Sequence, residues 1–397
     1  MVATCRRKFH RVATALAVAA VALCACGRYP AASTQDGQAS LSNAVAVRAT
    51  DLGVLPSAPA VTGRDGAYSA AFRGRSVWLY GDTILSRPNA DGRTFLTNTA
   101  SFTMDLDARD GITGFREHAD PPGAPTTFLR ETAEEAAFNA AHEGDACIEP
   151  PCGARWAIWP SSIVADPVAD RALVFYSVVA AMPGELNFQG VGSSVAAWQT
   201  FSTDPQRPAF KRAIVPDHPD LMFNSYEPNF GSAELLIGRT LYVYGCGVDT
   251  DGLDKGCRLG KVDPATVQDR NTWTFRSSDG WSASTADAAV MFDGNDSLSV
   301  SWNDYLQRYI AVYSALFSQN VMIRIARAPE GPWSGELLAF AAKEPVDGNT
   351  YDAHAHSEYD ANGGRTLFVT YSRRLSRDGA SELRLVKLDL QLIGQLP

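Results

Sequence analysis

The chain has 397 residues, of which 35 are basic and 44 acidic, so its formal net charge is −9. This balance, together with the lack of a visible basic patch, excludes nucleic acid as a natural partner. The length exceeds that of a usual single domain, so internal repeats are the first feature to look for.

The first 26 residues have the pattern of a bacterial signal peptide. A basic stretch precedes an apolar run, VATALAVAAVALCA (12–25), that is too short to span a membrane stably. The basic residues are Arg6, Arg7, Lys8 and Arg11. The run ends in LCAC, which resembles a lipobox and predicts lipidation of Cys26, with ordinary cleavage nearby as the alternative. We therefore expect an exported protein that is lipid-anchored to the cell envelope or secreted.

Residues 27–48 are small and polar, and they predict a flexible tether. The folded domain is then expected at 49–397. Contact with a membrane is expected only through the lipid anchor.

Four cysteines besides Cys26 remain after the signal peptide, and an even number in an exported chain favours two disulfides. The simplest of the three possible pairings joins Cys147 to Cys152 and Cys246 to Cys257. A zinc site is the alternative, although neither pair has the usual two-residue spacing.

Five segments of the remaining chain align with one another. They are FRGRSVWLYGDT (72–83), VADRALVFYSVV (168–179), LIGRTLYVYGCG (236–247), YLQRYIAVYSAL (305–316) and GGRTLFVTYSRR (363–374). The ninth position is always tyrosine, and glycine or serine always follows it. These tyrosines are Tyr80, Tyr176, Tyr244, Tyr313 and Tyr371.

Each aligned segment reads as a turn followed by a strand, with further short strands before and after it. Three or four antiparallel strands per repeat, repeated five times, predict an all-β fold, a five-bladed β-propeller. A jelly roll or another sandwich is the alternative. A helix is predicted in FLRETAEEAAFNAAHE (128–143), within an insertion at 117–157 between the first two blades.

The first repeat ends on a carboxylate. In VWLYGDTIL (77–85) a strand of large residues stops at Asp82. The preceding turn centres on Gly74, so residue 65 is expected opposite residue 83, which makes Asp65 a neighbour of Asp82. Two like charges facing each other destabilise a sheet, and such a pair is tolerated where chemistry or a bound cation uses it. We predict a catalytic pair at the mouth of the propeller funnel, with a plain turn as the alternative for Asp82.

Corresponding positions in the later blades supply further candidates. Glu227 in NSYEPNF is predicted as a third catalytic carboxylate, with a solvated loop residue as the alternative. The candidates for substrate binding are Trp159, Asn295, His354, His356 and Arg373. Alternation places both histidines on one face, where they are candidates to bind a cation or a sugar hydroxyl. Hydrogen-bonded turns and, for the tryptophan, simple burial are the competing interpretations.

The combination of five blades, Tyr-Gly-Asp-Thr after the second strand and an upstream aspartate resembles a known family. It is similar to the secreted bacterial endo-D-arabinanases, formerly a domain of unknown function, which are related to the five-bladed furanosidase propellers. The similarity covers most of residues 50–397 and is carried by WLYGDT (78–83), GGRTLFVTYS (363–372) and APEGPWS (328–334). It implies that Asp65 and Asp82 are catalytic. GRDGAY replaces the family's usual aspartate, bulky residue and glycine.

The paired carboxylates predict a glycoside hydrolase, and the resemblance implies that it acts on a furanoside-containing polysaccharide, with D-arabinan first. Such chemistry uses two carboxyl groups and requires no cofactor, although a structural cation in the central channel is possible. The main alternative is a non-catalytic cell-surface propeller that binds glycan or protein. A hydrolase specific for L-arabinan or fructan is a further alternative. A monomer is expected.

Overall fold

The computed structural model of the chain describes residues 41–119, 123–144, 147–184, 187–248, 255–348, 350–377 and 379–397. The predicted signal peptide, Cys26 and most of the predicted tether lie outside these residues. No helix within the described ranges combines the length and apolar character that a membrane crossing requires.

Strands dominate the described residues, which confirms the all-β class. In chain order the strands are β1 (Val45–Val54), β2 (Val61–Arg64), β3 (Tyr68–Phe72), β4 (Arg75–Tyr80), β5 (Thr83–Leu85), β6 (Phe95–Leu96), β7 (Thr99–Thr103), β8 (Arg116–Glu117), β9 (Arg155–Asp166), β10 (Arg171–Ala181), β11 (Phe188–Trp198), β12 (Phe223–Asn224) and β13 (Asn229–Ile237). They continue with β14 (Thr240–Val248), β15 (Lys255–Val262), β16 (Thr274–Arg276), β17 (Trp281–Ser282), β18 (Phe292–Asp293), β19 (Leu298–Asn303), β20 (Arg308–Ser314), β21 (Asn320–Ala326), β22 (Leu337–Ala341), β23 (Tyr351–Ala355), β24 (Thr366–Arg374) and β25 (Ser381–Leu392). The α-helix α1 is Ala133–His142, and the 3-10 helices are Leu41–Asn43, Pro264–Thr266, Arg270–Thr272, Thr285–Asp287 and Ser357–Tyr359.

In the part of the chain that the structure describes, the strands form five antiparallel sheets of at least four strands, each of which contains one of the five aligned segments. Their strand orders are β3-β4-β7-β8, β12-β11-β10-β9, β13-β14-β15-β16-β17 with β18 also on β15, β19-β20-β21-β22, and β1-β25-β24-β23. A smaller sheet, β2-β5-β6, extends the first hairpin beyond Asp82.

The five aligned tyrosines occupy equivalent positions, on β4, β10, β14, β20 and β24. All five are buried, as expected for a repeated core residue. Each hydroxyl still has a hydrogen-bond partner, since a buried polar group left unpaired is costly. These partners are Ser101, Asp220, Pro329, Glu336 and Lys343.

Within the described residues the hydrophobic core forms five clusters, and four of them lie between two sheets that follow one another in the chain. The fifth cluster joins the first sheet to the last, because Trp78 and Tyr80 of β4 pack with Phe368 of β24 and Leu385 of β25. Both faces of most sheets are therefore buried, which explains why the second strands are almost continuously apolar.

The N-terminal strand completes the C-terminal sheet. β1 pairs antiparallel with β25, from Val45 opposite Leu392 to Val54 opposite Arg384. The prediction of a flexible tether as far as residue 48 was therefore wrong for residues 41–48. The β-branched residues Val45 and Val47 suit a strand, and pairing with β25 extends it along the whole of β1.

The predicted insertion contains the predicted helix, shortened to α1. Thr132 caps it: its hydroxyl accepts the Glu135 backbone N–H, and the Glu135 carboxylate accepts the Thr132 backbone N–H. The predicted disulfides Cys147–Cys152 and Cys246–Cys257 are both present. The first closes the loop after α1, and the second links directly opposed residues of β14 and β15.

Two acidic side chains lie where the last sheet meets the first. Glu358 accepts a hydrogen bond from Ser76 of β4 at 2.8 Å, and Asp360 follows it two residues later. Burial, and then the Glu358 charge, raise the pKa of Asp360 to about 8. The folded state therefore holds this proton more tightly than the unfolded chain does, and stability falls as the pH rises from about 4 towards 8.

We expect Asp360→Asn to stabilise the protein at pH 8 by a few kcal/mol, on the order of what the pKa shift implies, and to have little effect at pH 4. Urea unfolding of both proteins across this range measures the difference. Asp293→Asn, at an exposed position of β18, serves as the control and should show no such trend. If the difference in the free energy of unfolding between the two proteins does not grow with pH, the raised pKa of Asp360 is contradicted.

Candidate active site

The first hairpin brings Asp65 and Asp82 together. Arg73 and Gly74 form a two-residue turn, with φ of 47° and 75°, between Phe72 and its partner Arg75. The Asp65 backbone N–H donates to the Asp82 carbonyl at 3.2 Å. The predicted register was wrong by one residue, since Arg64 and not residue 65 lies opposite Thr83, because the turn has two central residues. The predicted proximity of the two aspartates is nevertheless present.

Gly81 is required by the carboxylate beside it. Its N–H donates to the Asp65 carbonyl at 2.8 Å, and a Cβ at this position would lie 2.6 Å from Asp65 Oδ1. Any other residue would displace the Asp65 side chain. This contact explains why glycine precedes the aspartate in WLYGDT.

Asp82 is held by two side chains of β9. Trp159 Nε1 donates to Asp82 Oδ1 at 2.9 Å, and Arg155 Nη2 lies 3.7 Å from Asp82 Oδ2. The Asp82 side chain keeps 25% of its surface exposed. Burial is the largest influence on its pKa, and it outweighs the opposing effects of Arg155 and Trp159, so the pKa rises to about 6. Asp82 is therefore ionised at neutral pH.

Asp65 lies in a different electrostatic environment. Its Oδ2 accepts a hydrogen bond from the Tyr351 hydroxyl at 3.1 Å. Burial, followed by the charges of Asp82 and Asp352, raises the pKa of Asp65 well above its ordinary value. The two aspartates of the hairpin are thus biased towards different protonation states, which is the arrangement that separates an acid from a base.

Asp352 is a third carboxylate of the site that the sequence reasoning missed. It adopts a left-handed backbone conformation, φ 56°, at a register irregularity between β23 and β24. Its Oδ2 accepts the Gly66 N–H at 3.0 Å, and its Oδ1 accepts the Ser297 hydroxyl. Burial raises its pKa despite these hydrogen bonds. A strained non-glycine residue with a buried charge is typical of a functional site.

Asn295 reaches this group through Lys255. The Lys255 ammonium donates to Asn295 Oδ1 at 3.1 Å, forms an ion pair with Asp296, and lowers the pKa of Asp352 by its charge. Asn295 also donates to the Ser314 carbonyl at 3.0 Å. Asn295 therefore contacts Lys255, a residue of the site that the sequence did not predict.

The two histidines share one face, as alternation predicted, and their ring centroids are 5.3 Å apart. His356 is fully buried, packs against the Trp78 ring, and is held by hydroxyls of Ser69 and Thr370, both at 2.7 Å. Burial lowers the pKa of His356 well below its ordinary value and that of His354 to about 4, so both are neutral at pH 7. His354 packs edge-on to the Tyr68 ring, and its Nδ1 has no hydrogen-bond partner among the described residues. His356 is thus a core residue, and a role for either in binding substrate stays a prediction.

Glu227 and Arg373 make their contacts elsewhere. Glu227 forms an ion pair with Arg270 and accepts a hydrogen bond from Thr285 at 2.6 Å. Arg373 binds Glu382 at 2.9 Å and the Glu344 carbonyl at 2.8 Å. Among the contacts of the described residues, none joins either side chain to Asp65 or Asp82, and their predicted roles stay predictions.

A separate buried cluster has ligands of the type that bind metals. One atom each of Glu135, His218 and Asp220 lie within 4.8 Å of one another. The Arg207 guanidinium lies among them, bound to both oxygens of Glu135 at 2.6 and 2.9 Å and to Asp220 at 2.6 Å. This cation already compensates the carboxylates, so we interpret the cluster as an ion-pair network that anchors α1.

Residues 36–373 match the family described as a domain of unknown function, DUF4185. The chain belongs to this family. The matched segment contains Asp65, Asp82 and Asp352. No curated protein matches the sequence significantly.

Solved structures resemble this DUF4185 protein in fold. A candidate hydrolase of Bacteroides ovatus has a TM-score of 0.56 and 13% identity, over 86% of this chain and 90% of its own. A protein of unknown function from Dyadobacter fermentans has a TM-score of 0.50 and 10% identity, over 87% of this chain and 99% of its own. The alpha-L-arabinofuranosidase of Podospora anserina has a TM-score of 0.47 and 10% identity, over 89% of this chain and 99% of its own. At such identities the first two likenesses concern the fold alone.

Proposed function

We propose that this protein is a glycoside hydrolase in which Asp65 and Asp82 are the catalytic pair. The observation that carries the proposal is the opposed pair itself, in which Asp82 has a pKa of about 6 and Asp65 a pKa raised well above its ordinary value. Glycosidases need one protonated and one ionised carboxyl group beside the scissile bond. Between pH 6 and the higher pKa, this hairpin provides both.

The proposed roles follow from these protonation states. Asp65, kept protonated by burial and by its acidic neighbours, donates a proton to the leaving oxygen. Asp82, ionised and oriented by Trp159 and Arg155, attacks the sugar or activates a water molecule. Asp352 contributes by raising the pKa of Asp65 through its charge. No cofactor is needed for these steps, and a structural cation in the central channel stays a prediction.

The proposed scaffold is a five-bladed propeller with the pair at its mouth. Five sheets separated by five core clusters, the last of which joins the first and last sheets, support this arrangement. The pairing of β1 with β25 supports it too, because propellers leave only short, protected sheet edges. Trp159, half-buried beside Asp82, is suited to contact the sugar ring.

The proposed substrate is a furanoside polysaccharide, with D-arabinan first. Support comes from the resemblance of WLYGDT and its upstream aspartate to the endo-D-arabinanases. We further propose that the protein is exported and lipid-anchored through Cys26. The two disulfides agree with an oxidising compartment.

Incubation of the purified protein with D-arabinan, L-arabinan, fructan and a pyranose polymer, followed by analysis of the products, tests this function. We expect release of oligosaccharides from a furanoside polymer, D-arabinan above the others. Binding of the same polymers without any release would favour the non-catalytic glycan-binding alternative. Hydrolysis of the pyranose polymer alone would overturn the proposed substrate class.

A further inference from the structure

A partly exposed aromatic pair lies next to Asp82. The Phe188 ring packs edge-on to the Trp159 ring, with centroids 5.2 Å apart and an interplanar angle of 75°. Phe188 is the first residue of β11, opposite Ala181 at the end of β10, and 50% of its surface is exposed. Its position therefore brings a large apolar ring to the site instead of to the core.

The pair is fixed relative to the reacting carboxylate. Trp159 contacts Asp82 through its indole N–H and contacts Phe188 through its ring, so one side chain connects the two. On the other side of Asp82, Arg155 lies 4.3 Å above the Phe95 ring and keeps 33% of its side chain exposed. An apolar surface and an exposed hydrogen-bond donor thus flank the same carboxylate.

A second aromatic pair, Trp302 and Tyr309, has a similar ring contact but lies elsewhere in the fold. The rings of Trp302 and Tyr309 meet at 5.0 Å and 67°, and Trp302 is 41% exposed. Trp302 also donates its indole N–H to an aspartate, Asp304, at 2.9 Å. The two rings, however, lie beside the β19–β20 turn, at the opposite end of β19 from Ser297. The Trp302–Tyr309 pair therefore serves as a comparison, because its rings meet in a similar way at a different place from Asp82.

From this arrangement we infer that Phe188 and Trp159 form a second subsite, which binds a neutral furanoside unit next to the one whose bond is cleaved. Sugar rings present C–H groups to aromatic faces, and their hydroxyls require hydrogen-bond partners such as the Arg155 guanidinium. The inference rests on the proposed function and adds that the protein recognises at least two consecutive sugar units. It thus makes an oligosaccharide, and not a single glycoside, the preferred ligand.

The test is calorimetric binding in an Asp65→Asn background, with tetrasaccharides of D-arabinan, L-arabinan and fructan as probes. We expect Phe188→Ala to weaken binding of the best probe about tenfold, and Phe188→Tyr to preserve it. Trp302→Ala, the matched control, should bind like the parent. Because the Phe188 ring is half exposed, the unfolding temperature of Phe188→Ala should stay near that of the parent, which separates lost contact from lost folding.

The possible outcomes distinguish this inference from the proposed function. Equal binding by the parent and Phe188→Ala would overturn the subsite and leave the hydrolase proposal intact. Weaker binding by Phe188→Ala, with no hydrolysis by the wild-type protein, would support the subsite and overturn the hydrolase proposal. No binding of any probe by the parent would overturn both.

Discussion

Asp82→Asn should lower hydrolysis of the best polysaccharide by at least about a hundredfold, as expected when a nucleophilic or proton-transfer group is lost. The amide can still accept the Trp159 N–H bond, so the local geometry should persist. Because burial raises the Asp82 pKa to about 6, the folded state disfavours this charge, and its removal should leave the unfolding temperature equal or slightly higher. Activity per folded molecule and the unfolding temperature are measured on one preparation.

The controls use the same change at matched positions. Asp304 also accepts a tryptophan N–H at 2.9 Å but is exposed on a turn, so Asp304→Asn should retain full activity. Asp65→Asn should be as inactive as Asp82→Asn, and the double variant little worse, since the two residues act as a unit. Full activity in a less stable Asp82→Asn protein would show that Asp82 is a turn residue.

The pH dependence of the wild-type rate provides a second check on the same pair. Asp82 must be ionised, so activity should fall as the pH drops below about 6. Asp65 must be protonated, so activity should fall again at higher pH, once its raised pKa is passed. A rate that is flat through pH 6 would contradict the role assigned to Asp82.

Arg207→Leu should destabilise the folded state by about 3–5 kcal/mol, because it leaves buried charges without their partner. The Arg207 side chain is 7% exposed, and Glu135 and Asp220 are 1% and 2% exposed. Arg207 and other hydrogen-bond donors outweigh burial and lower the pKa of Glu135 to about 2. The stabilisation is therefore present above about pH 4.5 and is lost as the pH falls through 2. Urea unfolding at pH 7 measures the effect.

The matched control is Arg239→Leu, which removes an ion pair with Asp263 at 3.2 Å whose side chains are 77% and 42% exposed. Such surface pairs contribute about 1 kcal/mol or less. Adding Glu135→Gln to Arg207→Leu should recover part of the lost stability, since one uncompensated charge is removed. Equal effects of Arg207→Leu and Arg239→Leu would contradict the buried-network interpretation.

Local sequence was sufficient where a structural feature depends on neighbouring residues. The turn, the alternation and the repeated tyrosine are encoded within about a dozen residues, so the five hairpins and the proximity of Asp65 to Asp82 could be predicted. The same holds for the helix at α1, whose capping residues lie three apart, and for the disulfide between adjacent strands β14 and β15. The error of one residue in the register arose from the turn type, which depends on backbone angles at Arg73 and Gly74.

The tertiary structure decided which side chains meet across the chain. Asp352 reaches Gly66 over a separation of 286 residues, and β1 reaches β25 from the opposite end of the chain; no local pattern carries either pairing. Alternation placed His354 and His356 on one face, but only the packing of the last sheet against the first buries His356 against Trp78. The sequence by itself thus determined the repeated hairpin and its paired acids. The third carboxylate and the pKa values of the pair were decided by the packing of the sheets, because burial and distant charges exist only in the folded chain.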